Sequence, residues 1–325
     1  MNNTIFDHPY VIKNNQIKYP LINVTKVEEL NSGPRPHIFI ITVESFNANF
    51  VRATSTNGKE YTPFFNSLIN KGVYLDKFYG NSVLTAKGHL SLLCGIIPSF
   101  YHKVSTHFPK TTLNCLPKIL QKSGYKTLFF KAFSNINFSN MHKFTKKNGF
   151  NISKGMDKSF ITADDKKYIW GWGLQDNKFY EKYFSFLDEE HEKDKDIPFF
   201  STLTTITNHM LFNFVPIEKR KIFKSPKTTK EHFSNTLRLT DEYLKTFFYE
   251  LNKREYLKDS IVIITGDHSY PMSEHGNYRS EVGHFEESFR IPFLFIWNNK
   301  DKKINTKLTY SQLDIAPTLL NLLNI

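Results

Sequence analysis

Three side chains of the kind that bind divalent metals follow two of the most apolar runs in this 325-residue sequence. Glu44 comes directly after IFIITV, and Asp267 and His268 come directly after IVIITG. Carboxylate oxygens and an imidazole nitrogen form a mixed ligand set that suits Mn²⁺, Zn²⁺ or Mg²⁺. An Asp-His pair after a strand is also common in plain turns. Its combination with Glu44 is what favours a metal site.

Thr85 is a candidate nucleophile, because it stands where the turn-like NSVL changes into the helical pattern TAKGHLSLLC. At a helix N-terminus its hydroxyl lies at the positive end of the helix dipole, which together with a metal favours the alkoxide needed to attack phosphorus. The same oxygen would complete the ligand set as a fourth donor. The alternative is an ordinary threonine N-cap, which is common at helix starts.

These residues need a scaffold that brings strand ends together, and the order of the elements predicts one. Short β-branched runs alternate with amphipathic segments, which predicts an α/β fold with a mainly parallel central sheet sandwiched by helices. Open sheets of this kind place their sites beyond the carboxyl ends of the strands. Strands are predicted within residues 37–46, 126–133, 196–209, 259–269 and 291–297, and helices within 61–72, 85–95, 115–125, 177–190, 231–251 and 311–323.

The charge balance favours anionic partners. Lys and Arg number 43 against 31 Asp and Glu, which gives a formal net charge of +12. Nucleic acid, an acidic membrane surface and phosphorylated substrates all fit such a balance. The chain has no zinc-finger spacing, RNA-binding aromatic signature or long basic run, so we expect no nucleic acid partner.

The cysteine count and the hydropathy of the sequence bear on the compartment in which the chain can function. Cys94 and Cys115 are too few for a disulfide framework or a Cys-rich zinc site, and we expect two buried thiols, although a bond between them stays open. No run approaches the ~18 apolar residues of a membrane span, and the N-terminus has no signal-peptide core, so we expect a soluble chain. Residues 1–36 end in SGPRP and are predicted to be a polar lead-in segment to one catalytic domain, residues 37–325.

An ordered set of motifs resembles a known family. The set comprises VESF, TPFFNSLINKGVYLDKFY, NSVLTAKGHLSLLCG, LPKILQKSGYKT, TNH, TGDHS, EESFRIP and QLDIAPTLLNLL. Together these motifs resemble the extracellular catalytic domain of lipoteichoic acid synthases and related phosphoglycerol transferases, within the sulfatase and alkaline phosphatase superfamily. The resemblance runs from about residue 36 to residue 325. No single tetrapeptide is specific, whereas the ordered set is.

The resemblance implies an alkaline-phosphatase-like fold and a role for each matching position. Thr85 would be the nucleophile that becomes covalently phosphorylated, and His209 in TNH would contact the phosphate or the leaving group. Trp172 and Asp176 would belong to the pocket for the glycerol headgroup, to which His209 is also assigned. The ligands of one divalent metal, Mn²⁺ before Mg²⁺ or Zn²⁺, would be Glu44, Thr85, Asp267 and His268.

Two further histidines follow the Asp-His pair by seven and sixteen residues, in a predicted loop over the site. Related enzymes use a His or Lys in this region to bind the phosphoryl group or to protonate the leaving oxygen. We assign His284 a catalytic role and His275 a substrate-binding role, the alternative for both being a surface imidazole. His89, one helical turn after Thr85, would face either the crevice or a neighbouring helix.

At some positions the sequence differs from the superfamily pattern, and these differences argue against some of the reactions that the superfamily catalyses. Sulfatases carry a Cys or Ser, followed by a Pro and an Arg, where this chain has Thr85 and then Ala86 to His89. This disfavours sulfate ester hydrolysis. The additional Asp and His ligands of a second metal cannot be assigned, which favours a single-metal site. Phosphoethanolamine transferases, which are also Thr-based, remain a related option.

We therefore expect a two-step transfer at the extracytoplasmic face of the cell envelope. Thr85 would attack the phosphorus of an anionic phospholipid headgroup, such as that of phosphatidylglycerol, near the membrane surface, and an acceptor hydroxyl on a polymer or glycan would then displace it. One alternative is a phosphomonoesterase or phosphodiesterase that uses water as the acceptor. The other is a binding module for anionic polymers in which the site has decayed.

Overall fold

A seven-stranded sheet forms the centre of the computed structural model, which describes residues 11–13, 16–18, 35–277, 279, 285–297 and 306–325. The strands are β1 (Val11–Lys13), β2 (Gln16–Lys18), β3 (Ile38–Val43), β4 (Val73–Leu75), β5 (Phe78–Tyr79), β6 (Lys126–Lys131), β7 (Ile152–Gly155), β8 (Ile169–Trp170), β9 (Gly173–Leu174), β10 (Phe199–Thr204), β11 (Ile261–Gly266), β12 (Phe293–Trp297) and β13 (Tyr310–Ser311). The helices are α1 (Pro63–Leu68), α2 (Thr85–Cys94), α3 (Val104–His107), α4 (Leu116–Lys122), α5 (Met141–Lys147), α6 (Asp176–Lys193), α7 (Thr229–Asn252) and α8 (Ile315–Leu322).

The sheet has the strand order β4-β12-β11-β3-β10-β6-β7. Strands β11, β3, β10, β6 and β7 are parallel neighbours, whereas β12 runs antiparallel to both β11 and β4. The prediction of a mainly parallel sheet between helices is confirmed. Because β3 and β11 are adjacent and parallel, their carboxyl ends meet at one edge of the sheet.

Helices cover both faces of the sheet, and the alternation of side chains along β3 shows which layer each face buries. Phe39 and Ile41 point into a cluster that contains residues of α1, α6 and α7. Ile38 and Ile40 point into a second cluster with residues of α2, α4, α5 and α8. All four side chains have no exposed surface. Burial on both faces explains why this strand is an uninterrupted apolar run.

The loop that follows α2 contains one correction to the sequence analysis. Cys94 and Cys115 form a disulfide bond across 21 residues, so the expectation of two free thiols is wrong. The last residue of α2 and the residue before α4 lie side by side, because both helices pack on the same face of the sheet.

Of the predicted lead-in segment only residues 11–13, 16–18, 35 and 36 are described, and the first two stretches pair as β1 and β2. The proposed boundary at residue 36 stays a prediction.

Among the described residues, none of the helices combines the length and the apolar character that crossing a bilayer requires.

The N-terminus of α1 receives its capping group from another helix. Thr62 makes no side-chain capping bond, and the amides of Phe64 and Phe65 instead donate to the two oxygens of Asp241 in α7, at 2.9 and 2.7 Å. Asp241 is almost fully buried, and burial raises its pKa to about 6 against the opposing effect of the two amides. The Asp241 side chain that caps α1 therefore lies in surroundings that favour the neutral carboxylic acid over the carboxylate.

Stability should depend on pH through Asp241. Because its folded-state pKa is raised, its stabilising contribution is complete below the unfolded-state pKa and is lost as the pH rises through about 6. We expect the free energy of unfolding of the native chain, relative to Asp241→Asn, to rise by about 1 kcal/mol between about pH 7.5 and about pH 5. Denaturant titrations at several pH values measure this difference, and a flat difference would contradict the assignment.

Candidate active site

The three predicted ligand residues converge at the carboxyl edge of the sheet. Glu44 follows β3, and Asp267 and His268 follow β11. One ligand atom of each lies within 4.8 Å of the others, and all three side chains are buried. His268 Nε2 is 3.3 Å from Glu44 Oε1 and 3.7 Å from Asp267 Oδ2. The structure thus brings together groups that are 223 and 224 positions apart in the sequence.

The hydrogen bonds around this cluster leave open one carboxylate oxygen that a metal would use, Asp267 Oδ2, whereas Glu44 Oε1 accepts from the Ser45 hydroxyl at 2.9 Å. Asp267 Oδ1 accepts from the amides of Ser45 and His268 at 3.0 and 2.8 Å, whereas Oδ2 is buried without a hydrogen-bond partner among the described residues. His268 Nδ1 lies 2.7 Å from the carbonyl of Ser269, to which it donates, so Nε2 faces the carboxylates. A buried orphan oxygen beside an oriented imidazole and a second carboxylate fits a divalent cation.

The charges in the cluster are strongly coupled. Burial and the charge of Glu44 raise the pKa of Asp267. For Glu44, burial is outweighed by the charge of His209 and the hydrogen bond from His268, so its pKa lies below its ordinary value. For His268, burial is outweighed by the two carboxylates, which raise its pKa to about 10. The cluster thus favours a positive charge between the carboxylates of Glu44 and Asp267.

Thr85 lies at the edge of the cluster, with its Oγ1 3.4 Å from Glu44 Oε2. It is the first residue of α2, and the N-cap position belongs to Leu84, so the alternative of an ordinary threonine N-cap does not hold. The helix approaches the end of β11 closely at Gly88, where a Cβ atom would lie 2.1 Å from the Asp267 carbonyl oxygen. Gln312 Nε2 donates to that carbonyl at 2.8 Å. These contacts fix helix α2 against the end of β11.

His89 anchors the first turn of α2 to the sheet and does not face the crevice. Its Nδ1 lies 2.9 Å from the carbonyl of Thr85, and its Nε2 lies 2.9 Å from the Thr204 hydroxyl. Thr42 Oγ1 donates to Thr204 at 2.9 Å, which extends the chain to β3. Burial, with the nearby charge of Lys131, lowers the pKa of His89 to about 4. A neutral ring that donates at Nδ1 and accepts at Nε2 satisfies both neighbours.

The loop after β10 supports Glu44 from the other side. Thr205 Oγ1 accepts from the Glu44 amide at 3.0 Å, and Asn208 Nδ2 donates to the Glu44 carbonyl at 3.1 Å. Asn208 is fully buried, and its Oδ1 accepts from Thr236 at 2.6 Å. In the TNH motif, therefore, Asn208 holds Glu44 in place, whereas His209 has its Nδ1 2.7 Å from the carbonyl of Met210.

His209 and Trp172 share the wall of a pocket next to the cluster. Their ring centroids are 5.5 Å apart, and the indole Nε1 donates to the carbonyl of Met210 at 3.1 Å. Trp172 is 47% exposed, and His209 is half-buried. The pocket is lined by Trp170, Trp172, Gln175, Thr207, His209 and Phe214. Aromatic faces with a few polar groups are typical of ligand sites, and a headgroup bound against this wall stays a prediction.

Asp176 lies beneath this pocket rather than in it. Its side chain has no exposed surface, and it accepts from the amides of Ile206 and Thr207 at 2.8 and 3.2 Å. Burial raises its pKa to about 7. This arrangement supports a role in positioning the loop that carries His209, while direct contact with a headgroup stays a prediction.

Lys131 is a further buried cation, close enough to the cluster for the charges of Glu44 and Asp267 to affect its pKa, and no sequence motif pointed to it. It is the last residue of β6, is 5% exposed, and has its Nζ 4.9 Å from the centroid of the Phe133 ring. Burial lowers its pKa, and the charges of Glu44 and Asp267 oppose that shift. Nζ makes no hydrogen bond to another described residue. The available signal was a lysine directly after the apolar run LFF of the strand KTLFFK.

The two loop histidines have different outcomes. His275 is exposed, stacks on Phe285 with centroids 4.1 Å apart, and has Nδ1 2.8 Å from the buried Oε1 of Glu287. Its role in substrate binding stays a prediction. His284 lies outside the described residues, so its catalytic role also stays a prediction.

Comparisons with known proteins agree with this fold. A solved protein of the alkaline phosphatase superfamily from Vibrio parahaemolyticus has a TM-score of 0.71 at 26% identity, covering 90% of this chain and 67% of that one. The predicted alkaline-phosphatase and sulfatase-like fold is confirmed. The family model of the sulfatases matches residues 36–325, and the chain belongs to that family.

The predicted resemblance to lipoteichoic acid synthases is confirmed as well. The lipoteichoic acid synthase of Staphylococcus saprophyticus is 29% identical over 366 aligned positions, which cover 100% of this chain and 53% of that protein. The crystal structure of the lipoteichoic acid synthase LtaP from Listeria monocytogenes has a TM-score of 0.78 at 25% identity, covering 89% of this chain and 72% of that one. The chain spans about half the length of the curated relatives that it matches.

Proposed function

We propose that this chain transfers phosphoglycerol, or a similar phospholipid headgroup, to an acceptor hydroxyl on a polymer or glycan through a phosphorylated Thr85. The observation that carries the proposal is the Thr85 hydroxyl 3.4 Å from Glu44, beside a buried three-residue ligand cluster. The names of the lipoteichoic acid synthases to which the chain is similar support the same chemistry. The cofactor is one divalent ion, Mn²⁺ before Mg²⁺ or Zn²⁺.

Each residue of the site has a role in this reaction. An ion held by Glu44, Asp267, His268 and Thr85 would lower the pKa of the hydroxyl and offset charge on the phosphoryl oxygens. The Thr85 hydroxyl loses its proton to solvent, and its oxygen bonds to phosphorus as the ester bond to diacylglycerol breaks, while the departing oxygen takes a proton from His209. An acceptor hydroxyl then gives its proton to His209 and bonds to phosphorus as the bond from phosphorus to Thr85 breaks, and the Thr85 oxygen takes a proton back from solvent. The Trp172 wall holds the headgroup in both steps.

The proposal also covers the location of the protein and its partners. A lipid donor would bring the chain to the extracytoplasmic membrane surface, and its net charge of +12 suits an anionic surface. The Cys94–Cys115 bond suits an oxidising compartment. A polymer or glycan supplies the acceptor hydroxyl.

Lys131 should bind the negatively charged donor. We expect Lys131→Met to raise KM for an anionic phosphodiester about tenfold or more, because a buried cation beside the phosphate site is lost. Metal binding should be unchanged, as measured by thermal shift with Mn²⁺. Lys154→Met is the matched control, since Lys154 lies on the neighbouring strand β7 with its Nζ 4.9 Å from the ring of Phe160. Equal kinetics for both variants would contradict the role of Lys131.

One experiment tests the whole proposal. The protein is incubated with Mn²⁺ and either phosphatidylglycerol or phosphatidylethanolamine, and its intact mass and the products are measured with and without added glycerol. We expect a phosphoglycerol adduct on Thr85 and glycerol-dependent product. A phosphoethanolamine adduct would instead identify the related transferase. Product formation that is independent of glycerol would identify a hydrolase, and an unmodified protein with no product would refute the proposal.

A further inference from the structure

The loop between Cys94 and Cys115 presents large apolar side chains to solvent. Ile97 is 72% exposed, Phe100 92%, Tyr101 89% and Phe108 51%. A few isolated apolar residues on a surface need no explanation, but here five, with Ile96 at 38%, are clustered within thirteen positions. The most exposed of them form the tip of one loop, in the segment IIPSFY.

The charge of the same loop has one sign. Residues 95–114, GIIPSFYHKVSTHFPKTTLN, contain Lys103 and Lys110 together with His102 and His107, and no Asp or Glu. Aromatic and aliphatic side chains flanked by lysines are the composition of segments that lie in the interface of an anionic membrane. Each lysine near such a surface adds attraction that weakens with salt.

The base of the loop is held firmly, and its tip is hydrogen-bonded to helix α2. The disulfide bond joins the two ends of the loop. Lys87 Nζ, in the first turn of α2, donates to the carbonyl of Phe100 at 2.7 Å, and Asn140 Nδ2 donates to the carbonyl of Ser105 at 2.7 Å. The exposed tip is therefore fixed close to the end of α2 that carries Thr85. A loop ordered in advance loses little conformational freedom on binding.

We infer that this loop, which we call the docking loop (residues 95–114), inserts its tip into an anionic lipid surface and so holds the active site against the membrane. The inference deepens the proposed function, because a lipid donor must be reached at such a surface, and it assigns a specific element to that contact. The occupant is the headgroup region of a bilayer. Ile97, Phe100 and Tyr101 supply the buried apolar area, and the lysines supply the attraction to anionic headgroups.

The test is binding of the full chain to vesicles of phosphatidylcholine with and without phosphatidylglycerol, measured by flotation. We expect Ile97→Ser/Phe100→Ser/Tyr101→Ser to lower the partition coefficient about tenfold or more. The control Tyr249→Ser/Leu308→Ser removes side chains that are 63% and 53% exposed elsewhere and should bind like the native chain. Lys103→Gln/Lys110→Gln, which leaves the apolar tip intact, should bind less to anionic vesicles only, with a smaller salt dependence.

The outcomes separate this inference from the proposed function. Thr85→Ala should bind vesicles like the native chain, because docking needs no turnover. Vesicle binding that depends on the docking loop, with no adduct on Thr85, would uphold the inference and refute the chemistry. Equal vesicle binding by the triple Ser variant and the control would overturn the inference. So would concentration-dependent dimerisation that is lost in the triple variant without any loop-dependent vesicle binding, since it would assign the loop to a second copy of the chain.

Discussion

Thr85→Ala should lower headgroup transfer by about 10⁴-fold or more, the scale seen when a covalent nucleophile is removed. The hydroxyl is the group whose oxygen would bond to phosphorus, and it lies 3.4 Å from Glu44 at the first position of α2. No other described hydroxyl at a helix start stands beside the ligand cluster. Thr85→Ser keeps the oxygen and should retain measurable transfer and the covalent adduct. Product analysis and intact-mass measurement read out both variants.

The matched control for this loss is Thr229→Ala. Thr229 is likewise a threonine at the first position of a helix, α7, but it is exposed and belongs to a different part of the chain. It should keep native activity, which would show that losing a helix-start threonine is not itself harmful. Near-native transfer by Thr85→Ala would refute the covalent mechanism and leave the cluster to another reaction.

The fold could be predicted from the sequence because its strands are buried on both faces. The runs around Ile40, Phe129 and Ile263 are long, apolar and bounded by turn residues, so their strand character is unambiguous. The strand order could not be predicted in the same way, because it depends on which helix packs on which face. The edge strand β7, ISKG, is short and polar, and it pairs only because its neighbour β6 offers free backbone groups.

The convergence of Glu44, Asp267 and His268 could be predicted because these residues come right after two strong strands. Parallel neighbours in a sheet bring such positions together whatever lies between them in sequence. The supporting residues carry no such signal. Asn208, Gln312 and His89 act through hydrogen bonds to backbone or hydroxyl groups of distant segments, and these partners are defined only once the chain has folded. Lys131 was missed for the same reason, since a lysine at a strand end is usually solvated.

The disulfide bond shows the limit of reasoning from cysteine counts. Two cysteines in a large chain favour free thiols on average, and that average misled the prediction for Cys94 and Cys115. The relevant quantity is the distance between the end of α2 and the start of α4, which is set by their packing on one face of the sheet. The two cysteines form a bond because the fold brings them together, and the fold could be predicted without knowledge of that bond.

Mn²⁺ should stabilise the native chain, and Asp267→Asn should abolish that effect. The buried Oδ2 of Asp267 lacks a partner among the described residues and lies beside Glu44, so an ion between them removes an unfavourable arrangement of charge. At a metal concentration of about 100 times Kd the gain is about 2.7 kcal/mol, or roughly 4 °C in Tm. Transfer activity of Asp267→Asn should fall by about 10³-fold or more.

The difference in stability between the native chain and Asp267→Asn should change sign when the metal is removed. In the presence of a chelator, Asp267→Asn should be at least as stable as the native chain, because an amide in place of the carboxylate removes the repulsion from Glu44 and keeps Oδ1 as acceptor for two amides. The order of stabilities should therefore reverse when Mn²⁺ is added. Asp259→Asn, at the exposed amino end of the same strand, should keep the full metal-dependent shift. An equal shift in native chain and Asp267→Asn would place the ion elsewhere, and the cluster of Glu44, Asp267 and His268 would then need another explanation.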